Sequence, residues 1–204
     1  MAIHKSDFFG AEIALLADTR KQEFVRWFFE AKCPKWFFES AASSSGKYHP
    51  DFVQGFGGLV RHCKAVAQMA AELCRNPIFG NDPKDEVFQD LVIIAAMTHD
   101  CAKFGMTDVY EPWAYKHHEV HGAELVAMAW EEFFSEDCPE ILYDSIYTHM
   151  GTWTSSADRE PSAPHEKIVA LADYVTSRKM VNVPGIAADW EEVNNDLPFY
   201  FGEE

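Results

Sequence analysis

Basic residues are scarce in this 204-residue chain: 17 Lys and Arg stand against 33 Asp and Glu, for a formal net charge of −16 at pH 7. A surface with that balance repels polyanions. Sequence-independent grip on duplex nucleic acid depends on counterion release by a basic face, which this chain does not offer on average, so duplex nucleic acid is not an expected partner. A small anionic substrate in a local positive pocket remains compatible. Long hydrophobic runs are missing as well. The longest, Leu91 to Met97, stops at Thr98-His99-Asp100, short of the ~20 residues that cross a bilayer. Near the N-terminus the only apolar stretch is bracketed by Glu12 and Asp18, which is not the pattern of a secretory signal. The expectation is a soluble, cytoplasmic protein with no membrane partner. Cysteine is sparse and odd in number: Cys33, Cys63, Cys74, Cys101 and Cys138 form no Cys-x-x-Cys pair. That argues against a disulfide framework or a zinc ribbon and for free thiols in a reducing compartment. There is no internal repeat, no low-complexity tract and no alternating period-2 run.

What is present is apolar and helical in its spacing. Hydrophobic residues make up 48% of the chain and aromatics 14%, with 16 Phe, ample for one core. Helical periodicity predicts a helix over about 10–31, broken by Pro34. Residues 33–58 read as a long loop, with Ser43-Ser44-Ser45-Gly46, His49-Pro50 and three glycines. Loops of that length in compact domains are usually functional. Helices are predicted from Leu59, over Val87–Lys103, His118–Phe134, Pro139–Met150 and Glu166–Met180. The fold class is therefore all-α, one bundle of about six to eight helices with a long loop before the first ligand-bearing helix.

Five positions carry chemistry: His62, the pair His99-Asp100, His149 and Asp173. Each falls on or beside an apolar stripe of its own helix. His62 follows Leu59 by three residues, His99 follows Ala95 by four, His149 follows Ser145 by four and Asp173 follows Val169 by four. A polar side chain facing a core must be satisfied there. One such histidine is usually a hydrogen-bonded core residue, but several helices aiming histidine or aspartate inward is how bundle-core metal sites are built. Mixed imidazole and carboxylate donors suit one or two divalent transition ions (Mn, Fe, Ni, Co or Zn), with magnesium less natural.

The order His62, His99-Asp100, Asp173 resembles the signature of the HD-domain metal-dependent phosphohydrolases. The surrounding words are similar too: Gly57-Gly58-Leu59-Val60-Arg61-His62, the His-Asp-x-x-Lys segment His99 to Lys103, His118-Glu119-Val120-His121-Gly122-Ala123-Glu124, and Ile168 to Tyr174. The resemblance covers roughly Ser43 to Lys179. It implies a single HD-type domain over 1–204, with a core at about 43–180. Residues 1–42 would then be a helical N-terminal extension, and 181–204 an acidic, aromatic C-terminal tail. It implies that His62, His99, Asp100 and Asp173 hold a first metal. Asp100 would bridge to a second ion completed by His118 and His149, with His121 as the fallback for His118. Met150 stands where many two-metal relatives have a second histidine, and the Gly-Tyr-Pro motif of the cyclic-dinucleotide branch is absent. A third metal and cyclic-dinucleotide specificity are therefore not expected.

In the resembled family Lys103 points at the reaction centre, where an ammonium stabilises charge developing on phosphate; Asp100 and Lys103 are thus the expected catalytic residues. The loop 44–49 lacks the spacing of a phosphate-binding P-loop, yet Lys47 and His49 on it are candidate phosphate contacts. Trp153 is a candidate wall for a base, and Arg178 a further positive group. The expected activity is hydrolysis of a phosphate ester or diester of a nucleotide or related small phosphorylated substrate. Two rivals stand beside it: a 3′ exonuclease on short single strands, and a non-catalytic nucleotide-binding regulatory module. The partner is expected to be a small phosphorylated molecule, and a homo-oligomer is compatible with the sequence.

Overall fold

The computed structural model describes residues 4–43, 46–47, 49–112, 114–153 and 159–181. Ser44, Ser45 and Tyr48 of the expected phosphate loop, and all but the first residue of the C-terminal tail, lie outside the described residues. Among the described residues there are eight α-helices and no strand: α1 (Gly10–Ile13), α2 (Thr19–Ala31), α3 (Trp36–Glu39), α4 (Gly58–Cys74), α5 (Glu86–Thr98), α6 (His118–Phe134), α7 (Glu140–Tyr147) and α8 (Pro164–Thr176). The all-helical expectation holds. No helix among the described residues is long and apolar enough to cross a membrane, and all five cysteines are free thiols.

The centre of the bundle is α5. Every residue from Asp90 to Thr98 is buried, as expected for a helix that is apolar on all sides. It packs on α4, α7 and α8, while α7 also packs on α6. Caps set where the helices begin. Asp85 accepts from Phe88 N at 3.0 Å to start α5, and Asp18 accepts from Arg20 N at 2.8 Å to start α2. Glu166 reaches back to Ala163 N at 2.6 Å beside Pro164 at the first turn of α8. Each satisfies an amide that the helix leaves without a partner.

Three predicted elements differ from those observed. The single helix over 10–31 is two, because Asp18 caps a new helix and the chain turns at Ala14–Ala17 to reach Asp90. That buried carboxylate accepts from Ala17 N at 2.8 Å, Asp18 N at 3.1 Å and Lys21 Nζ at 3.1 Å. The loop over 33–58 contains α3 and a 3-10 turn, Asp51–Val53. The helix predicted to reach Lys103 ends at Thr98. From His99 the chain tightens into turns closed by Cys101 N to Thr98 O at 2.9 Å and Lys103 N to Asp100 O at 3.0 Å.

The first 42 residues contribute an aromatic layer to the same core. Phe29 stacks on Phe9 with centroids 4.4 Å apart and meets Phe38 edge-on at 5.9 Å. Phe24 meets Trp130 of α6 at 5.1 Å, and Trp36 meets Phe104, just beyond the His99-Asp100 pair, at 5.6 Å. The layer therefore braces two elements that carry site residues.

Phe29 is fully buried, so Phe29→Ala removes its packing and leaves a cavity, at a cost of about 3–5 kcal/mol. Urea denaturation should show that loss as a lowered midpoint with the slope unchanged; a loss under about 1 kcal/mol would place the aromatic layer outside the cooperative unit.

Candidate metal centre

Five elements deliver the candidate ligands to one buried point. His62 sits on α4, His99 and Asp100 at the exit of α5, His118 at the first position of α6, His149 just past α7 and Asp173 on α8. Two local features permit the convergence. At Gly58 an added Cβ would lie 2.1 Å from Val53 O, so only glycine lets the preceding loop close against the start of α4. At Gly122 an added Cβ would meet His99 O at 3.2 Å, which keeps α6 close to the metal-facing turn. Arg61, beside His62, is buried and donates to Phe52 O, to Gln54 O at 2.7 Å and to Phe56 O at 3.1 Å. It thereby folds the loop that carries His49 onto α4. Sequence reading missed Arg61, although its place next to a ligand was a signal.

The Asp100 carboxylate divides the cluster. Its Oδ2 lies 3.5 Å from His99 Nε2 and 3.8 Å from His62 Nε2. Its Oδ1 lies 3.3 Å from His118 Nε2 and 3.6 Å from His149 Nε2. Asp173 Oδ1 completes the first half, 2.9 Å from His62 Nε2 and 3.8 Å from His99 Nε2. Ligand atoms held by one ion at about 2.0–2.2 Å stand about 3–4 Å from each other; the observed gaps have that spacing. The triads His62–His99–Asp100, His99–His149–Asp173 and Asp100–His118–His149 each bring ligand atoms within 4.8 Å of one another.

Protonation points the same way. His99 Nδ1 lies 2.8 Å from Ala96 O, and His149 Nδ1 2.6 Å from Ile146 O. A carbonyl only accepts, so each Nδ1 carries the proton and each Nε2 turns a lone pair inward, the arrangement of a metal-ligating histidine. The buried Nε2 of His99 makes no hydrogen bond, and those of His62 and His149 face only carboxylate oxygens. Unpartnered buried acceptors beside carboxylates are costly, and a divalent cation among them removes the cost. Burial holds His99 down to a pKa of about 4, neutral as a ligand must be. Burial opposes the charge on Asp100, but Lys103 first and then the surrounding histidines outweigh it and hold the carboxyl well below its usual range. The residues present fit a divalent metal.

A cavity of about 790 Å³ opens on this cluster, with Asp100, Lys103, His118, His149 and Asp173 in its lining. Lys103 Nζ lies 2.6 Å from Asp100 Oδ2. Burial works against its charge, but Asp100 and Asp173 raise its pKa above the ordinary lysine value. His49 also lines the cavity, its ring 5.8 Å from that of His62. Burial, then His62 and Lys103, lower its pKa to about 4, so it faces the cavity as a neutral imidazole. Trp153, 65% exposed, and Arg178, whose guanidinium lies 4.5 Å over the Tyr174 ring, line the mouth. Lys47 is exposed and is not brought to the cavity. His121 is turned away, its Nδ1 3.4 Å from Glu124. Lys167, Leu171 and Tyr174 line the cavity unanticipated; their spacing of four and three along α8 was the available signal.

An all-helical bundle whose core presents four histidines and two aspartates around one bridging carboxylate defines a candidate divalent-metal protein of the hydrolytic kind. The chain belongs to the HD-domain family: the family profile, HD domain, matches residues 59–178, more than half of the chain. That family is in general one of metal-dependent hydrolases. No curated protein and no solved structure matches the chain.

Asp100→Ala should abolish tight binding of manganese(II), measured by equilibrium dialysis with elemental analysis, while far-ultraviolet dichroism stays helical. His149→Ala should lower a stoichiometry near two toward one. Full metal content in the Asp100 variant would remove that residue from the centre.

Proposed function

We propose that the protein is a metal-dependent phosphohydrolase or phosphodiesterase acting on a nucleotide or a related small phosphorylated substrate. The reading is carried by one observation: Lys103 Nζ lies 2.6 Å from the Asp100 carboxylate on the lining of a cavity otherwise floored by histidine and aspartate. When bound by His62, His99, Asp100 and Asp173 and by Asp100, His118 and His149, divalent ions supply Lewis-acid polarisation of phosphoryl oxygens and a water of lowered pKa. The mixed donor set favours Mn, Fe, Co, Ni or Zn over magnesium.

The chain's own groups account for the rest. Lys103, kept cationic by Asp100 and Asp173, is placed to stabilise charge that develops on the phosphoryl group, where a fixed ammonium in a dry site acts most strongly. His49, neutral at ordinary pH, offers hydrogen bonds rather than charge. Lys167 and Arg178 add positive charge at the lining, against the acidic balance of the molecule. Trp153 and Tyr174, 65% and 46% exposed, offer ring faces on which a base can stack. A cavity of about 790 Å³ is within the range of small-molecule sites, roughly 300–1,000 Å³, so a longer strand gains little from it.

The experiment is a metal-supplemented screen over nucleotides, cyclic nucleotides and short oligonucleotides. Small nucleotides should be turned over, or should compete fully with any oligonucleotide. Lys103→Ala should lower kcat by about 10²–10³ with a smaller change in KM, as for a group acting in the transition state. Processive degradation of long single strands, uninhibited by mononucleotides, would replace this reading with the exonuclease. Full metal loading with no turnover on any substrate would replace it with the regulatory module.

A further inference from the structure

We infer that Arg159 is a positioning residue for the second metal ion, acting through His118. It lies in the segment leading into α8, 42 residues from His117 in sequence, and no part of the proposed chemistry uses it. Its Nη1 lies 2.9 Å from Glu119 Oε1 and 3.1 Å from His117 Nδ1. One guanidinium thus grips both residues that flank the candidate ligand.

His118 needs such support because of where it stands. It is the first residue of α6, and its predecessor His117 is left-handed, with φ 61° and ψ 38° and no side-chain capping bond. That conformation is unfavourable for any residue with a Cβ and persists only where surrounding contacts impose it. Arg159 supplies the contact: a guanidinium is always a donor, so His117 Nδ1 accepts, which fixes the tautomer and the ring. The Arg159 and Glu119 side chains are only 9% and 6% exposed. Pairs this well buried are not loosened by solvent as surface pairs are.

The geometry sorts the candidate ligands into two sets. His118 and its clamp belong to the half of the cluster around Asp100 Oδ1, whereas His62 and Asp173 sit on α4 and α8 and His99 at the exit of α5. Loosening the clamp therefore weakens the second ion and spares the first. Supporting partners of metal-bound histidines typically change affinity about 10–100-fold.

The inference rests on the two-ion reading, and the test tells the two apart. The full chain is titrated with manganese(II) against a competing chelator, and both stepwise affinities are measured. Wild type should take two ions. Arg159→Met should weaken the second about 10–100-fold, leaving the first ion and the helical dichroism at wild-type values, and Arg159→Lys should recover most of the loss. Glu119→Gln keeps the shape without the charge, and should show the same selective loss even if Arg159→Met fails to fold. Wild-type affinity for both ions in Arg159→Met and Glu119→Gln, or equal loss of both ions, overturns the clamp. A wild-type chain that binds only one ion overturns the two-ion reading and the clamp together.

Discussion

The centre depends on one carboxylate. Asp100 is 1% exposed, and a charge that deep is tolerated only when cations or donors surround it. Each oxygen faces a different pair of histidines, and Lys103 closes on one of them. The rest of the bundle can be understood as what holds that residue at the exit of α5. The helix stops at Thr98, so the His99-Asp100 pair leaves the regular hydrogen-bond ladder and its side chains turn toward neighbouring helices. Trp36 and Phe104 pack behind the turn, and Gly122 lets α6 come close in front of it.

How much of this was legible depends on the range of the interaction. His62, His99, His149 and Asp173 sit at helical spacing from apolar neighbours, and that local rule placed them inward. His118 begins its helix, so no stripe precedes it; only the resemblance to a family word singled it out. Arg159 was illegible because its partners are side chains brought near by tertiary folding, whereas Arg61 stood beside a ligand but bonds loop carbonyls that no local rule places. The short α3 was hidden for another reason: four residues after a proline give periodicity nothing to repeat. Lys47, a basic residue in the Ser- and Gly-rich loop, is exposed and does not line the cavity.

Charge works on two scales. The chain as a whole is strongly acidic, which disfavours long polyanions. The cavity lining is locally richer in positive charge, carrying Lys103, Lys167 and Arg178 beside Asp100 and Asp173. Fields from single groups act over a few ångströms in a dry pocket and are screened beyond roughly 10 Å in salt, so the two scales do not cancel.

Two of the buried thiols adjoin candidate ligands: Cys63 follows His62, and Cys101 follows Asp100. Burial, reinforced by the Asp100 charge, pushes both well above the ordinary thiol range, and Cys101 Sγ donates to Gly122 O at 3.9 Å. A thiol that keeps its proton is neither a nucleophile nor a soft ligand. The candidate ligand groups among the described residues accordingly offer an incoming ion only imidazole nitrogen and carboxylate oxygen, with no cysteine sulfur among them, a donor set that suits borderline divalent ions better than thiophilic ones.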